Sequence, residues 1–146
     1  MFNILIVDDN AAFRESLKEM LIDRFPSTVG GLMDDDRGET IVVHEASDGR
    51  ETWRILENLL PDLIFLDIRL PDENGLEITR KIKQQHRHIP IIIATNYDLA
   101  EYREAARQYG ADDFITKGSS SWDKIVAHVE SLMRPALRES VLGLDQ

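Results

Sequence analysis

The sequence has no cysteine among its 146 residues and no long apolar segment. The absence of cysteine excludes disulfide bonds, thiolate nucleophiles and cysteine-based zinc sites. The longest apolar runs fall far short of the roughly 20 residues that a membrane-spanning helix needs. The first seven residues also lack the basic segment that opens a signal peptide. We therefore predict a soluble protein of the cytoplasm.

Positive charge is scarce as well. Lys and Arg number 17 against 27 Asp and Glu, which gives a formal net charge of −10. Nucleic acids and anionic lipids select a clustered positive surface, so we expect this chain itself to bind neither nucleic acid nor membrane. The one basic run is interpreted as the solvated face of a helix, and its members are Arg80, Lys81, Lys83 and Arg87.

Short apolar runs alternate with segments of helical spacing along the chain. Uninterrupted, mostly β-branched runs are typical of strands that are buried on both faces. Three runs are strong strand candidates and two are weaker, in chain order Ile4–Val7, Ile41–Val43 (weaker), Leu63–Leu66, Ile91–Ala94 and Phe114–Ile115 (weaker).

A helical pattern follows each of these runs. The five patterns are carried by Phe13, Leu17, Met20 and Leu21; by Trp53, Leu56 and Leu60; by Leu76, Ile78 and Ile82; by Leu99, Tyr102, Ala106 and Tyr109; and by Trp122, Ile125, Val126, Val129 and Met133. Five strand–helix units predict an α/β fold, with a parallel sheet covered by helices on both faces. In such a fold the functional groups lie beyond the carboxyl ends of the strands.

Five polar residues follow the predicted strands: Asp8, Asp9, Asp67, Thr95 and Lys117. Singly, each has an ordinary structural explanation, such as a helix cap, a turn residue or a surface lysine. Jointly, three converging carboxylates favour a hard cation with oxygen ligands, and Mg²⁺ suits that donor set. Asp67 would then be a nucleophile that forms an acyl phosphate, with Lys117 and Thr95 holding the phosphoryl oxygens.

The motifs at these positions resemble the receiver domain of two-component response regulators. They are Ile6-Val7-Asp8-Asp9, Leu66-Asp67-Ile68-Arg69-Leu70-Pro71-Asp72-Glu73-Asn74-Gly75, Ala94-Thr95 and Phe114-Ile115-Thr116-Lys117. The resemblance spans residue 3 to about residue 133. It implies a flavodoxin-like (βα)5 fold, doubly wound, with strand order 2-1-3-4-5 and helices on both faces.

The resemblance also implies roles for single residues. Asp67 matches the phosphoacceptor, which takes its phosphoryl group from a sensor histidine kinase. Asp9 and Asp67 match direct Mg²⁺ ligands, Asp8 acts through water, and the main-chain carbonyl of Arg69 completes the protein ligands. The chain is then not an enzyme, except that it catalyses its own aspartyl phosphorylation and dephosphorylation.

Three further residues match the family's conformational switch. Thr95 and Lys117 match the pair that contacts the phosphate, and Phe114 matches the aromatic that moves inward when the threonine does. The switch reshapes the surface of the fourth helix, fifth strand and fifth helix, which would include Leu99, Tyr102, Arg103 and residues near Trp122. An output domain, an effector protein or a second copy of the chain would bind there.

Some positions depart from the family's common pattern. Gly118 follows the lysine where many members have proline, a variant that resembles the branch fused to a helix-turn-helix output domain. Asn96 replaces a small residue beside the phosphate, which would narrow access. Arg69 and Tyr97 stand where the family tunes the lifetime of the phosphate.

Two other classes of protein share parts of this pattern. Phosphatases of the haloacid-dehalogenase class also use an aspartate nucleophile after a parallel strand, but they need a second acid two residues later, where this chain has Arg69. A flavodoxin-type cofactor carrier needs a phosphate-binding loop after the first strand, where this chain has Asp8 and Asp9. Both classes are disfavoured.

We predict a receiver domain over residues 1–133, with a long connection at 26–40, and a tail or linker at 134–146. Three alternatives stay open for the output: a stand-alone receiver, the receiver part of a longer DNA-binding regulator, and an interaction module that works without phosphorylation.

Overall fold

Strands and helices alternate five times along the part of the chain that the structure describes. The computed structural model describes residues 1–25, 40–118 and 122–133. The strands are β1 (Phe2–Val7), β2 (Ile41–Ala46), β3 (Leu63–Leu66), β4 (Ile91–Thr95) and β5 (Asp113–Thr116). The helices are α1 (Ala11–Arg24), α2 (Gly49–Asn58), α3 (Gly75–Gln85), α4 (Ala100–Gln108) and α5 (Trp122–Met133). The predictions for the 26–40 connection and for the 134–146 tail fall on residues outside these ranges, apart from residue 40.

The five strands form one parallel sheet in the order β2-β1-β3-β4-β5. This confirms the predicted fold class and strand order. The register pairs Val7 with Leu66, Leu66 with Ile93, and Thr95 with Thr116. The strands therefore end together, and the residues that follow them share one edge of the sheet, which we call the carboxyl edge.

The apolar runs are continuous because each strand packs helices on both of its faces. Along β1, Leu5 and Val7 belong to a core cluster on the side of α2, α3 and α4. Ile4 and Ile6, which alternate with them, belong to a second cluster on the side of α1 and α5. Since successive side chains of a strand point to opposite faces, both sets of positions must be apolar.

Side-chain caps begin three of the helices. The carboxamide of Asn10 accepts the N–H of Phe13 at the start of α1, and the carboxylate of Asp48 accepts the N–H of Glu51 in α2. The carboxamide of Asn74 accepts the N–H of Leu76 in α3. These caps satisfy N–H groups that have no partner within their helix, and they place the preceding loops at the carboxyl edge.

Two predictions about the elements were wrong. The second helix does not include Leu60, because α2 ends at Asn58 and Leu59 already has extended dihedral angles. Lys83 is not a solvated residue of the basic run, since only 12% of its side chain is exposed and its ammonium group binds Asp112. In the same run Arg80 pairs with Glu77 and Lys81 pairs with Glu73.

No helix within residues 1–25, 40–118 and 122–133 combines the length and the apolar character that crossing a membrane requires.

Candidate functional site

Three carboxylates meet at the carboxyl edge of the sheet. Asp8 follows β1 and Asp67 follows β3, and the N–H of Asp67 donates to the carbonyl of Val7 (3.0 Å) in continuation of the ladder. One carboxylate oxygen from each of Asp8, Asp9 and Asp67 lies within 4.8 Å of the other two. Asp8 and Asp67 are buried, with 1% and 7% of their surface exposed, whereas Asp9 is exposed. The structure thus brings the three predicted acids together.

Lys117 reaches these carboxylates from the end of β5. Its backbone N–H donates to the carbonyl of Thr95 (2.8 Å), which places Lys117 and Thr95 side by side. Its Nζ lies 2.5 Å from Asp8 Oδ2 and 3.1 Å from Asp67 Oδ2. The side chain is only 8% exposed, and Nζ also lies 4.5 Å from the centroid of the Phe13 ring. One ammonium group is therefore shared between two buried carboxylates.

The cluster carries more negative charge than Lys117 can balance. Burial raises the pKa of Asp8, and the nearby charge of Asp67 raises that pKa further, while the bond to Lys117 lowers it in part. Asp8 Oδ2 is buried and lies 2.5 Å from Lys117 Nζ, an ammonium group that Asp67 Oδ2 also contacts. Two buried carboxylates share one ammonium group and a third carboxylate lies close by, so the cluster keeps negative charge that a further cation would offset.

These residues fit a hard divalent cation. The donors are carboxylate oxygens, with neither histidine nor cysteine among them. Oxygen-only sites in which water fills the remaining positions are typical of Mg²⁺. Asp8 and Asp9 each present a carboxylate oxygen within 4.8 Å of one from Asp67.

Asp67 is held in place by one backbone N–H group, by the Lys117 side chain and by close packing of Gly75. Its Oδ1 accepts the N–H of Ile68 (2.7 Å), and its Oδ2 accepts Lys117 Nζ (3.1 Å). Gly75 packs directly against the Asp67 backbone, because a Cβ at Gly75 would lie 1.9 Å from the Asp67 carbonyl oxygen. The orientation of Asp67 therefore depends on a glycine eight residues later.

Thr95 and Arg69 are the two remaining predicted residues next to the carboxyl ends of β4 and β3. Thr95 is fully buried at the end of β4, and its hydroxyl accepts the N–H of Tyr97 (3.3 Å). The Arg69 guanidinium stacks 3.6 Å from the centroid of the Tyr97 ring and donates to the Tyr102 hydroxyl (3.2 Å). A guanidinium group has no acceptor atom, so the expected role of Arg69 as a ligand depends on its main-chain carbonyl alone.

Phe114 lies on β5 among residues of the core cluster on the α4 side. The Arg103 guanidinium lies 4.6 Å from the centroid of the Phe114 ring, and Asp98 Oδ1 accepts Arg103 Nε (2.5 Å). Trp122, the first residue of α5, instead packs toward α1, where its ring centroid is 6.3 Å from that of Phe13. The structure does not bring Phe114 into the carboxylate cluster.

Sequence reasoning missed several contacts around the site. Arg14 Nη1 donates to the main-chain carbonyl of Asp8 (2.6 Å), and Arg14 Nε donates to Glu45 Oε1 (3.1 Å). Asp72 and Glu73 bind the start of α2. These partners lie 20 or more positions apart in most cases, so local pattern gives no signal for them.

Comparison with known proteins identifies the family of the chain. The family model described as the response regulator receiver domain matches residues 29–130. That range includes Asp67, Thr95, Phe114 and Lys117 and does not extend to Asp8 and Asp9.

Individual proteins resemble the chain over most of its length. Response regulator MprA of Mycolicibacterium vanbaalenii is 31% identical over 131 residues, which is 90% of this chain and 50% of that protein. The virulence transcriptional regulatory protein PhoP of Salmonella typhimurium is 31% identical over 134 residues, covering 92% of this chain and 53% of that protein. The chain thus spans about half the length of these curated relatives.

A solved structure shares the fold. The CheY-like response regulator receiver domain protein from Methanospirillum hungatei is 27% identical and superposes with a TM-score of 0.73. The superposition covers 90% of this chain and 94% of that protein.

Proposed function

The chain belongs to the receiver-domain family of two-component response regulators, and from that premise we propose that Asp67 accepts a phosphoryl group from a sensor histidine kinase. The observation that carries the proposal is the convergence of Asp8, Asp9 and Asp67 around the shared ammonium group of Lys117. Receiver domains are phosphorylated by histidine kinases and regulate output domains, which is the coarse function of the family.

The transfer exchanges one phosphorus bond for another. A carboxylate oxygen of Asp67 attacks the phosphorus of the kinase's phosphohistidine and forms an O–P bond as the P–N bond breaks. The electron pair of the broken bond stays on the imidazole nitrogen, which takes up a proton from solvent. Lys117, already 3.1 Å from Asp67 Oδ2, moves its ammonium group onto a phosphoryl oxygen and so offsets the new charge.

Receiver domains generally bind Mg²⁺ at an acidic pocket, and the residues at the carboxyl edge fit that ion. Asp9 and Asp67 would bind Mg²⁺ directly, Asp8 through water, and the Arg69 main-chain carbonyl would complete the protein ligands. When bound, the ion supplies positive charge that balances the phosphoryl oxygens. Before phosphorylation the same charge relieves the repulsion among the three carboxylates.

The conformational response follows from Thr95 and Phe114. The Thr95 hydroxyl, now accepting the N–H of Tyr97, would turn to donate to a phosphoryl oxygen. The Phe114 ring would move inward into the space that Thr95 leaves, which shifts a two-state equilibrium of the surface formed by α4, β5 and α5. An output domain, an effector protein or a second copy of the chain reads that surface.

The chain acts in the cytoplasm as a switch that catalyses only its own phosphorylation and dephosphorylation. The relative PhoP is named a transcriptional regulatory protein, and this chain matches 53% of its length. That similarity favours a DNA-binding output. A stand-alone receiver is the alternative.

The test is intact mass spectrometry after incubation with acetyl phosphate, with and without Mg²⁺. We expect one Mg²⁺-dependent phosphoryl adduct on the wild type and none on Asp67→Asn. The matched control is Asp62→Asn, because Asp62 directly precedes β3 as Asp67 directly follows it. An adduct that persists in Asp67→Asn would refute the assignment, and a wild type that takes up no phosphoryl group would indicate a phosphorylation-independent interaction module.

A further inference from the structure

The loop between β3 and α3, residues 67–74, is closed at its base by backbone contacts. The N–H of Gly75 donates to the carbonyl of Ile68 (2.7 Å), and Arg69 and Asn74 form an antiparallel bridge. Arg69, whose main-chain carbonyl is the expected third direct ligand, therefore lies at the base of a small hairpin. The position of that carbonyl depends on where the hairpin as a whole is held.

The tip of this loop is bound to the start of α2. The Asp72 carboxylate accepts the N–H groups of both Gly49 (2.8 Å) and Arg50 (3.0 Å), the first two residues of the helix. The helix has its own cap in Asp48, which accepts the N–H of Glu51 (2.8 Å). Asp72 thus satisfies N–H groups that a helix cannot satisfy internally, and it does so from a different segment of the chain.

Glu73 adds a second attachment beside the first. Its Oε1 accepts the indole N–H of Trp53 on α2 (3.0 Å), and its Oε2 accepts Lys81 Nζ on α3 (3.2 Å). The loop and the helix are in close contact here, because a Cβ at Gly49 would lie 2.6 Å from Glu73 Oε1. Two consecutive side chains therefore tie the loop to two helices.

We propose that Asp72 and Glu73 are positioning residues, which hold the 67–74 loop on α2 and thereby keep the Arg69 main-chain carbonyl in place to bind Mg²⁺. The inference rests on the proposed function, since it concerns the same ion. Groups that orient a ligand without touching the metal still determine its affinity, because a misplaced ligand must be reordered when the ion binds. Asp72 and Glu73 act on the site only through the loop.

The experiment compares two carboxylates that cap the same helix. Asp72→Ala removes the cap supplied by the loop, and Asp48→Ala removes the helix's own cap. The dissociation constant of Mg²⁺ is measured by isothermal titration calorimetry on the full chain, and the melting temperature is measured without Mg²⁺. We expect both variants to melt at lower temperature, but only Asp72→Ala to bind Mg²⁺ more weakly, by about tenfold.

A second variant keeps the test valid if Asp72→Ala does not fold. Asp72→Asn preserves the size of the side chain and one acceptor oxygen, so it should weaken Mg²⁺ binding less than Asp72→Ala. Trp53→Phe removes the indole N–H that Glu73 accepts while it keeps an aromatic ring at this position, and we expect a similarly small loss of affinity.

The outcomes separate this inference from the proposed function. Wild-type Mg²⁺ affinity in Asp72→Ala, or an equal loss in Asp72→Ala and Asp48→Ala, would overturn the positioning role while the wild type still binds Mg²⁺ and takes up phosphate. A wild type that binds no Mg²⁺ at millimolar concentration would instead overturn both. A loss confined to the loop variants supports the inference.

Discussion

A lysine with little exposed side chain lies at each edge of the sheet, and the two lysines have different surroundings. At the edge where β4 and β5 begin, which we call the amino edge, Lys83 Nζ donates to the Ile89 carbonyl (2.6 Å) and to Asp112 Oδ2 (2.8 Å). At the carboxyl edge, Lys117 Nζ faces Asp8 and Asp67, with Asp9 close by.

The difference lies in how completely the charges are compensated. At the amino edge the Asp112 carboxylate accepts both Lys83 and the N–H of Ile91 (2.8 Å), so one cation meets one anion and the remaining bonds are to backbone. At the carboxyl edge one cation contacts two buried carboxylates, and the carboxylate of Asp9 lies close to both. The amino edge is built for stability, whereas the carboxyl edge retains charge that a ligand can balance.

The largest expected loss of stability is that of Gly75→Ala at the carboxyl edge, and Gly110→Ala at the amino edge is its comparison. Gly75→Ala would place a Cβ 1.9 Å from the Asp67 carbonyl oxygen, so the backbone must move, at a cost of about 3 kcal/mol. Gly110→Ala, at the amino edge, meets only the Lys83 side chain at 3.3 Å, and its positive φ of +96° costs about 1 kcal/mol. Urea unfolding of both variants measures the two costs. A Gly110→Ala variant less stable than Gly75→Ala would contradict this ranking.

Replacing each lysine by methionine should destabilise the protein by about 2 kcal/mol, because charged hydrogen bonds are lost. The two variants should differ in their response to Mg²⁺. Lys117→Met leaves the carboxylates without a competing cation, so the stability gained on adding Mg²⁺ should exceed the wild-type gain. Lys83→Met should gain as much as the wild type.

Chemical denaturation with and without Mg²⁺ distinguishes the two lysine variants. An equal gain for Lys117→Met and Lys83→Met would mean that the two edges do not differ in their affinity for a cation.

The smallest of these effects is that of Mg²⁺ on the wild type. At ten times its dissociation constant, Mg²⁺ should stabilise the folded state by about 1.4 kcal/mol. Asp9→Ala removes an exposed carboxylate of the cluster and should abolish most of this gain, whereas Asp62→Asn at the amino edge should keep it. The measurement is the melting temperature of the wild type, Asp9→Ala and Asp62→Asn, each with and without Mg²⁺. Identical curves for the wild type in the presence and absence of Mg²⁺ would argue against the metal site.

Much of this arrangement was predictable from the sequence. The apolar runs marked the strands correctly because a strand covered on both faces needs apolar residues at every position. The residues after those runs then had to share one edge, since parallel strands end together. That reasoning located Asp8, Asp9, Asp67, Thr95 and Lys117 without any long-range information.

The contacts between distant segments were not predictable in this way. The attachment of Asp72 to Gly49 and Arg50, the Arg103 guanidinium over the Phe114 ring, and the burial of Lys83 against Asp112 all join residues from different elements. The sequence reading placed Lys83 in solvent because its neighbours are charged. Helical spacing likewise extended the second helix to Leu60, although the chain becomes extended at Leu59.

The sequence by itself thus determined the order of strands and helices, the edge that carries the chemistry and the residue types found there. These follow from side-chain periodicity and from the rule that parallel strands end together, both of which are local or general properties. Only the tertiary structure decided which charge each carboxylate meets and how the 67–74 loop is held. Those facts depend on distances between segments far apart in the chain, and electrostatic interactions among buried groups change steeply with such distances.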